Sequence, residues 1–206
     1  MFTLTRIYLI LLLSKSTQIR KVIFGINISL DGCCDHTKMI PYEEVHVYFT
    51  DMLRDADVLV YGRKTYQLMV PFWPDVAKDN SGETESINEF ARAFDAVNNI
   101  VVFSRTLERV EGDKTRIVRS NIGDEIIKLK QQPGKNILLG GVDIPSQLAE
   151  LGLVDEFHFV VQPIIAGEGR RVFDGIHLAD RLQLKLFESE ILQSGIVVLR
   201  YQKDYA

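Results

Sequence analysis

The sequence predicts an open α/β sheet, mostly parallel, with an antiparallel edge supplied by its C-terminal third. Three observations carry that prediction. Short apolar runs alternate with amphipathic helical stretches as far as Gly152, the rhythm of strand–helix–strand units in a parallel sheet. From Glu156 onward, strand-like runs follow one another with little helix between them, which suits antiparallel pairing at an edge. Three of the apolar runs stop on glycines, hydroxyls or arginines: Tyr61-Gly62-Arg63-Lys64-Thr65, Phe103-Ser104-Arg105-Thr106 and Leu139-Gly140-Gly141. Ligands of open α/β sheets sit outside the carboxyl ends of the strands, so a phosphate-bearing ligand is the first expectation.

Taken in order, Lys21 to Ser29 reads as a strand because Val22, Phe24, Ile26 and Ile28 alternate, and Leu30-Asp31-Gly32 is a turn signal. Pro41 to Arg54 reads as a helix, with Tyr42, His46, Phe49 and Leu53 on one stripe and Val45 and Met52 beside it. Asp57 to Tyr61 is the second strand, and Lys64 to Val70 a short helix broken by Pro71-Phe72-Trp73-Pro74. The polar run Ala77 to Glu85 predicts a loop, and Ser86 to Ala96 a further helix. A strand from Asn99 is followed by a polar stretch, Glu108 to Lys114, and a short strand at Arg116 to Arg119. Gly123 to Gln132 is an amphipathic helix stopped by Pro133-Gly134. The strand at Asn136 leads into a helix from Ile144 to Leu151 that Gly152 ends. Glu156 to Pro163, Leu182 to Ser189 and Ile196 to Lys203 are the closing strands.

The chain of 206 residues suits one domain, from residue 21 to 206, with a full core. A net charge of −4 offers no footprint for nucleic acid. The two cysteines, Cys33 and Cys34, are adjacent and cannot staple distant segments, which points to a reducing, cytoplasmic setting. Residues 1–20 form an N-terminal extension of separate status. Its apolar core, Ile7 to Leu13, falls short of the roughly 20 residues of a bilayer span, so no membrane is expected. An upstream extension or mis-set start, an extra surface element and an export signal remain open for it; no A-x-A-like cleavage site follows.

The three strand ends each have a bland reading as capped turns. Their coincidence favours a ligand. Backbone N–H groups where Gly62-Arg63-Lys64-Thr65 turns into a helix suit phosphate, with Thr65 adding a hydroxyl and Arg63 a charged fork. Ser104-Arg105 is a partner for an extra phosphate on a ribose. Gly140-Gly141 permits close backbone approach, and Val142-Asp143-Ile144 offers N–H groups to a pyrophosphate. Cys33-Cys34-Asp35-His36 is too dense for a tetrahedral metal site, and no metal is expected. No G-x-S-x-G elbow or Walker lysine loop occurs. His46, on the inward stripe of the first helix, is either a structural histidine or one facing a heterocycle. Trp73 is either a core anchor or a lid over a flat substrate.

The ordered motifs Ser29-Leu30-Asp31-Gly32, Gly62-Arg63-Lys64-Thr65-Tyr66, Phe103-Ser104-Arg105-Thr106 and Leu139-Gly140-Gly141 resemble those of the dihydrofolate reductase superfamily. Gly152-Leu153-Val154-Asp155-Glu156 and Pro163-Ile164-Ile165-Ala166-Gly167-Glu168-Gly169 bring the resemblance closest to the reductase domain of bacterial riboflavin biosynthesis and its stand-alone relatives. The resemblance implies a dihydrofolate reductase-like three-layer fold, NADPH as cofactor and a homodimer formed through the sheet edge. It assigns the adenosine phosphates to Arg63, Thr65, Ser104 and Arg105, and the nicotinamide side to Asn27 and Ile28. It implies that the Gly140–Gly141 bond, beside the pyrophosphate, is often cis. Folate-reducing members carry an acid on the first helix, where this chain has Val45, His46 and Val47. A small shift would bring Glu44 inward. The H-x-E and P-C-x-x-C signals of a fused zinc deaminase are missing.

The expected function is an NADPH-dependent reductase of a small heterocycle, of pyrimidine or pterin type, including the aminouracil reduction of the riboflavin pathway. Gly62, Val142 and Ile144 join the cofactor side; His46, Phe49 and Trp73 form the substrate side, with His46 the candidate proton source. The alternative is a nucleotide-binding or sensing protein that keeps the fold without turnover.

Overall fold

The computed structural model describes residues 20–110 and 112–204; the N-terminal extension, apart from Arg20, lies outside them. Its strands are β1 (Val22–Ser29), β2 (Ala56–Gly62), β3 (Ile100–Phe103), β4 (Thr115–Val118), β5 (Asn136–Leu139), β6 (Glu156–Gln162), β7 (Leu184–Ile191) and β8 (Val197–Lys203). They form one sheet in the order β4-β3-β2-β5-β1-β6-β8-β7. Every pairing from β4 to β6 is parallel, and β8 runs antiparallel to both β6 and β7. The predicted mostly parallel sheet with an antiparallel C-terminal edge is therefore the observed one.

Strand alternation splits the core into two layers. Val22 and Phe24, Val58 and Val60, Val101 and Phe103, and Ile137 and Leu139 face one side. There they bury Ile126 and Leu129 of helix α5 (Ile122–Lys130) and Ile144 and Leu148 of α6 (Asp143–Glu150). Ile23, Leu59, Tyr61, Val102 and Leu138 face the other side. They meet Leu53 of α1 (Glu43–Arg54), Tyr66 of α2 (Arg63–Met69), and Phe90 and Phe94 of α4 (Glu85–Ala96).

Two sequence expectations change here. Residues 77–79, expected in a loop, belong to helix α3 (Trp73–Asp79). The run Pro71-Phe72-Trp73-Pro74 does end the preceding helix, at Met69, but Pro74 also occupies the first turn of α3, where its missing N–H leaves no bond unmade. On α1, Tyr48 and Thr50 are buried although they lie off the predicted stripe. The helix packs against α4 as well as the sheet, Thr50 donates to the His46 carbonyl at 2.7 Å, and the Tyr48 hydroxyl is held by His158 and Arg200.

Candidate functional site

A cavity of about 710 Å³ opens at the carboxyl ends of β1, β2 and β5, between the sheet and helices α1, α2 and α4. Strand lengths create it. The β1–β5 pairing stops at Phe24 and Leu139, so the β1 edge from Gly25 to Asn27 continues without a partner on that side and lines the opening. Gly25 lets α1 close over it: a Cβ there would lie 2.7 Å from Met52 Cε and 3.2 Å from Phe49 Cε1.

One part of the wall is a backbone cradle. Gly140 sits against the buried Tyr61 ring, and any side chain at Gly140 would overlap it. Gly141 takes φ +80°, a left-handed conformation that favours glycine, and a Cβ there would overlap the Thr65 hydroxyl. Val142, the N-cap of α6, supplies no side-chain cap to the helix. The first-turn N–H groups of Asp143 and Ile144 therefore lack intrahelical partners, and Pro145 behind them has no N–H to satisfy. The peptide bonds of the described residues are all trans. The cis bond that the resemblance implies at Gly140–Gly141 is absent, and the turn is made by the left-handed Gly141 instead.

Another part is aromatic. His46 meets Phe90 edge-on with ring centroids 5.8 Å apart and Trp73 at 6.3 Å; Trp73 and Phe90 are 4.5 Å apart. Burial holds the His46 imidazole below its usual pKa. The Asn27 Oδ1 is buried without a hydrogen-bond partner.

A clasp ties the cradle to the loops that follow β1 and β6. Arg170, in the segment after β6, pairs with Asp143 at the start of α6 at 2.5 Å. The guanidinium pulls the Asp143 carboxyl below the usual range. The Arg170 carbonyl accepts from the Cys34 backbone N–H at 2.8 Å and from Cys34 Sγ at 3.2 Å.

Residues 20–198 match the sequence profile of the RibD C-terminal domain. The chain belongs to this family. The uncharacterized Bacillus subtilis protein YyaP is 31% identical over 92% of this chain and 98% of its own length. A structure from Shewanella sp. PV-4, named for riboflavin biosynthesis, superposes with a TM-score of 0.68 at 21% identity, covering 89% of this chain and 99% of that one. The Thermotoga maritima diaminohydroxyphosphoribosylaminopyrimidine deaminase/5-amino-6-(5-phosphoribosylamino)uracil reductase gives 0.63 at 18% identity, over 90% of this chain and 57% of that one. These two likenesses concern the fold.

The sequence-nominated residues fall into three groups in this RibD C-terminal domain. Asn27, Gly62, Arg63, Thr65, Gly140, Gly141, Val142 and Ile144 line the cavity, together with His46, Phe49 and Trp73. Ser104 and Arg105 lie just beyond it, next to Phe103, which does line it. Ser104 Oγ accepts the N–H groups of Thr106 and Leu107 and so fixes the turn, leaving Arg105 exposed. Ile28 does not line the cavity: the β1 residues that do are Gly25, Ile26 and Asn27, and Ile28 lies beyond them.

The inward shift imagined for Glu44 does not occur. Its carboxylate accepts the backbone N–H groups of Gln193 and Ser194 in the β7–β8 turn, at 2.8 and 3.0 Å. Asp143 is then the one carboxylate on the cavity wall among the described residues. Sequence reasoning also missed Arg119. It donates to the carbonyls of Ser104 and Leu107 at 2.9 and 2.6 Å and holds a second guanidinium beside Arg105. Its place at the end of β4, beside the end of β3, is the signal that was available.

Proposed function

We propose that this chain is a reductase that uses NADPH to reduce a small heterocycle of pyrimidine or pterin type. The observation that carries the reading is the joining, in one cavity, of a backbone cradle suited to phosphates with an aromatic chamber. When bound, NADPH supplies the hydride, and the protein supplies orientation and electrostatics.

The residues fit that cofactor. The bare backbone at Gly140 and Gly141 and the unpaired N–H groups of Asp143 and Ile144 suit pyrophosphate oxygens. The unpartnered Asn27 Oδ1 is an acceptor for the N–H of a carboxamide such as nicotinamide's. Arg63, Thr65, Ser104 and Arg105 take the adenosine phosphates, the guanidinium fork of Arg105 favouring a ribose 2′-phosphate. On the substrate side His46, Phe49 and Trp73 hold the ring and exclude water, and the proton comes from His46 or a water it holds.

A homodimer through β7 belongs to the same reading. Seven of its eight residues, from Lys185 to Ile191, are exposed at the sheet edge, Leu186, Phe187 and Ile191 among them, and an open apolar edge invites pairing. Sedimentation at micromolar protein tests it, with a monomer overturning it.

The lack of an acid on the chamber side of α1 supports a second reading, a nucleotide-binding protein without turnover. Absorbance at 340 nm with NADPH and a panel of pterins and pyrimidines separates the two. Oxidation with one ring class is expected. Tight NADPH binding with no oxidation across the panel favours the second reading, and no NADPH binding overturns both.

A further inference from the structure

Asp143 is the first residue of α6, and its own N–H belongs to the cradle. Its carboxylate stands on the cavity wall, at the helix start where a pyrophosphate would bring negative charge of its own. Two cations share that wall. Arg170 pairs with Asp143 at 2.5 Å, and Lys64 of α2 is attracted to the same carboxylate. The pair is open to solvent, with 42% of the Arg170 side chain and 60% of the Asp143 side chain exposed, and an ion pair so placed is weak. Among the described residues it is the one hydrogen bond that the Arg170 side chain makes. The backbone beneath is fixed: the Arg170 carbonyl accepts from the Cys34 N–H at 2.8 Å, and Arg171 bridges Cys33. Arg171 itself makes two bonds to Asp31 and does not line the cavity. Arg170 is therefore anchored at its base, with most of its N–H fork unspent beside the cradle.

A phosphate oxygen is as good an acceptor for a guanidinium as a carboxylate oxygen is. Resting on the cofactor reading, we propose that Asp143 is a built-in stand-in for the cofactor's pyrophosphate, and that Arg170 is a further cofactor-binding residue. The Asp143 carboxylate keeps Arg170 and Lys64 gathered at the cradle. Arg170 changes acceptor from that carboxylate to the pyrophosphate, and Asp143, a second anion at the same helix start, then weakens cofactor binding by like-charge repulsion. Because the pyrophosphate is common to NADPH and NADH, this contest scales the affinity for both alike and leaves the choice between them to Arg105.

The test is calorimetric titration of the full-length protein, Asp143→Asn and Arg170→Gln with NADPH, NADH and ADP, after thermal unfolding has shown that each variant is folded. Asp143→Asn should bind each ligand about three-fold or more tightly, the scale of one exposed charge–charge interaction. Arg170→Gln should bind each about five-fold or more weakly, the scale of a lost charge-assisted hydrogen bond. A clasp with a structural role alone would make the two substitutions act alike, since each breaks the same ion pair. Shifts in the same direction, an unchanged affinity in either variant, or a loss confined to NADPH overturns the proposal. If one variant does not fold, the direction of the other decides. If ADP alone binds and shows the opposed shifts, the proposal stands for a nucleoside diphosphate and the cofactor reading alone fails. Binding of none of the three overturns both.

Discussion

The hydroxyl of Thr65 occupies the space that any side chain at Gly141 would need. Thr65 lies in the first turn of α2 and Gly141 follows β5, so the contact joins the ends of β2 and β5 at the cradle. Gly141→Ala should destabilise the fold by about 1–3 kcal/mol through its positive φ alone, and should reduce NADPH affinity more than ten-fold. Thermal unfolding and calorimetric titration measure the two effects separately; a stable variant with unaltered affinity would show that the cradle is not used.

Arg105 is exposed at the end of β3, beside Arg119. Arg105→Ala should weaken NADPH by roughly 1–3 kcal/mol, the scale of a charge-assisted hydrogen bond, and leave NADH unchanged. Equal losses for both cofactors would mean that Arg105 does not read the 2′-phosphate. Arg119→Ala should give a smaller loss of the same kind, because the turn it props would loosen.

Asp31 ties the end of β1 to the loop after β6. The Ser29 hydroxyl, then the Ala166 N–H, hold its carboxyl at a pKa of about 2, with Gly167 adding a further bond. A carboxyl depressed on folding adds stability that is complete above its ordinary value of 3.8 and is lost as the pH falls through about 2. Denaturant midpoints between pH 5 and pH 2 should therefore fall less steeply in Asp31→Asn, which should also be less stable at pH 7. An unchanged slope would mean the carboxylate is not held in this way.

A separate polar chain lies outside the cavity. The Tyr48 hydroxyl is 2.8 Å from His158 Nδ1 and accepts from Arg200 Nε at 3.1 Å, while His158 Nε2 is 3.1 Å from Glu156. Tyr48→Phe leaves buried groups unpaired and should destabilise the protein by about 1–3 kcal/mol. NADPH affinity should not change, and a changed affinity would mean that this chain communicates with the cradle.

The sheet was legible because its strands are short β-branched and aromatic runs, and because the glycines and hydroxyls that end them are where backbone must approach a ligand. Leu139-Gly140-Gly141 signalled both its strand and its turn. Helix Trp73–Asp79 was not legible because Pro74 reads as a breaker unless it is known to sit in a first turn. The burial of Tyr48 depends on His158 and Arg200, far along the chain, and left no local periodicity. The Arg170–Asp143 clasp joins residues 27 apart through a loop whose path only the folded chain defines. Nor did the first helix reveal where its acids go: Glu44 is spent on the β7–β8 turn, and the chamber is left with His46.

The most direct test of the central claim is an equilibrium titration of the full-length protein with NADPH and, separately, NADH, following heat and Trp73 emission together. The account expects saturable NADPH binding at one site per chain, quenching of Trp73, and markedly weaker binding of NADH. No heat and unchanged emission with NADPH, or equal affinity for the two cofactors, would contradict it.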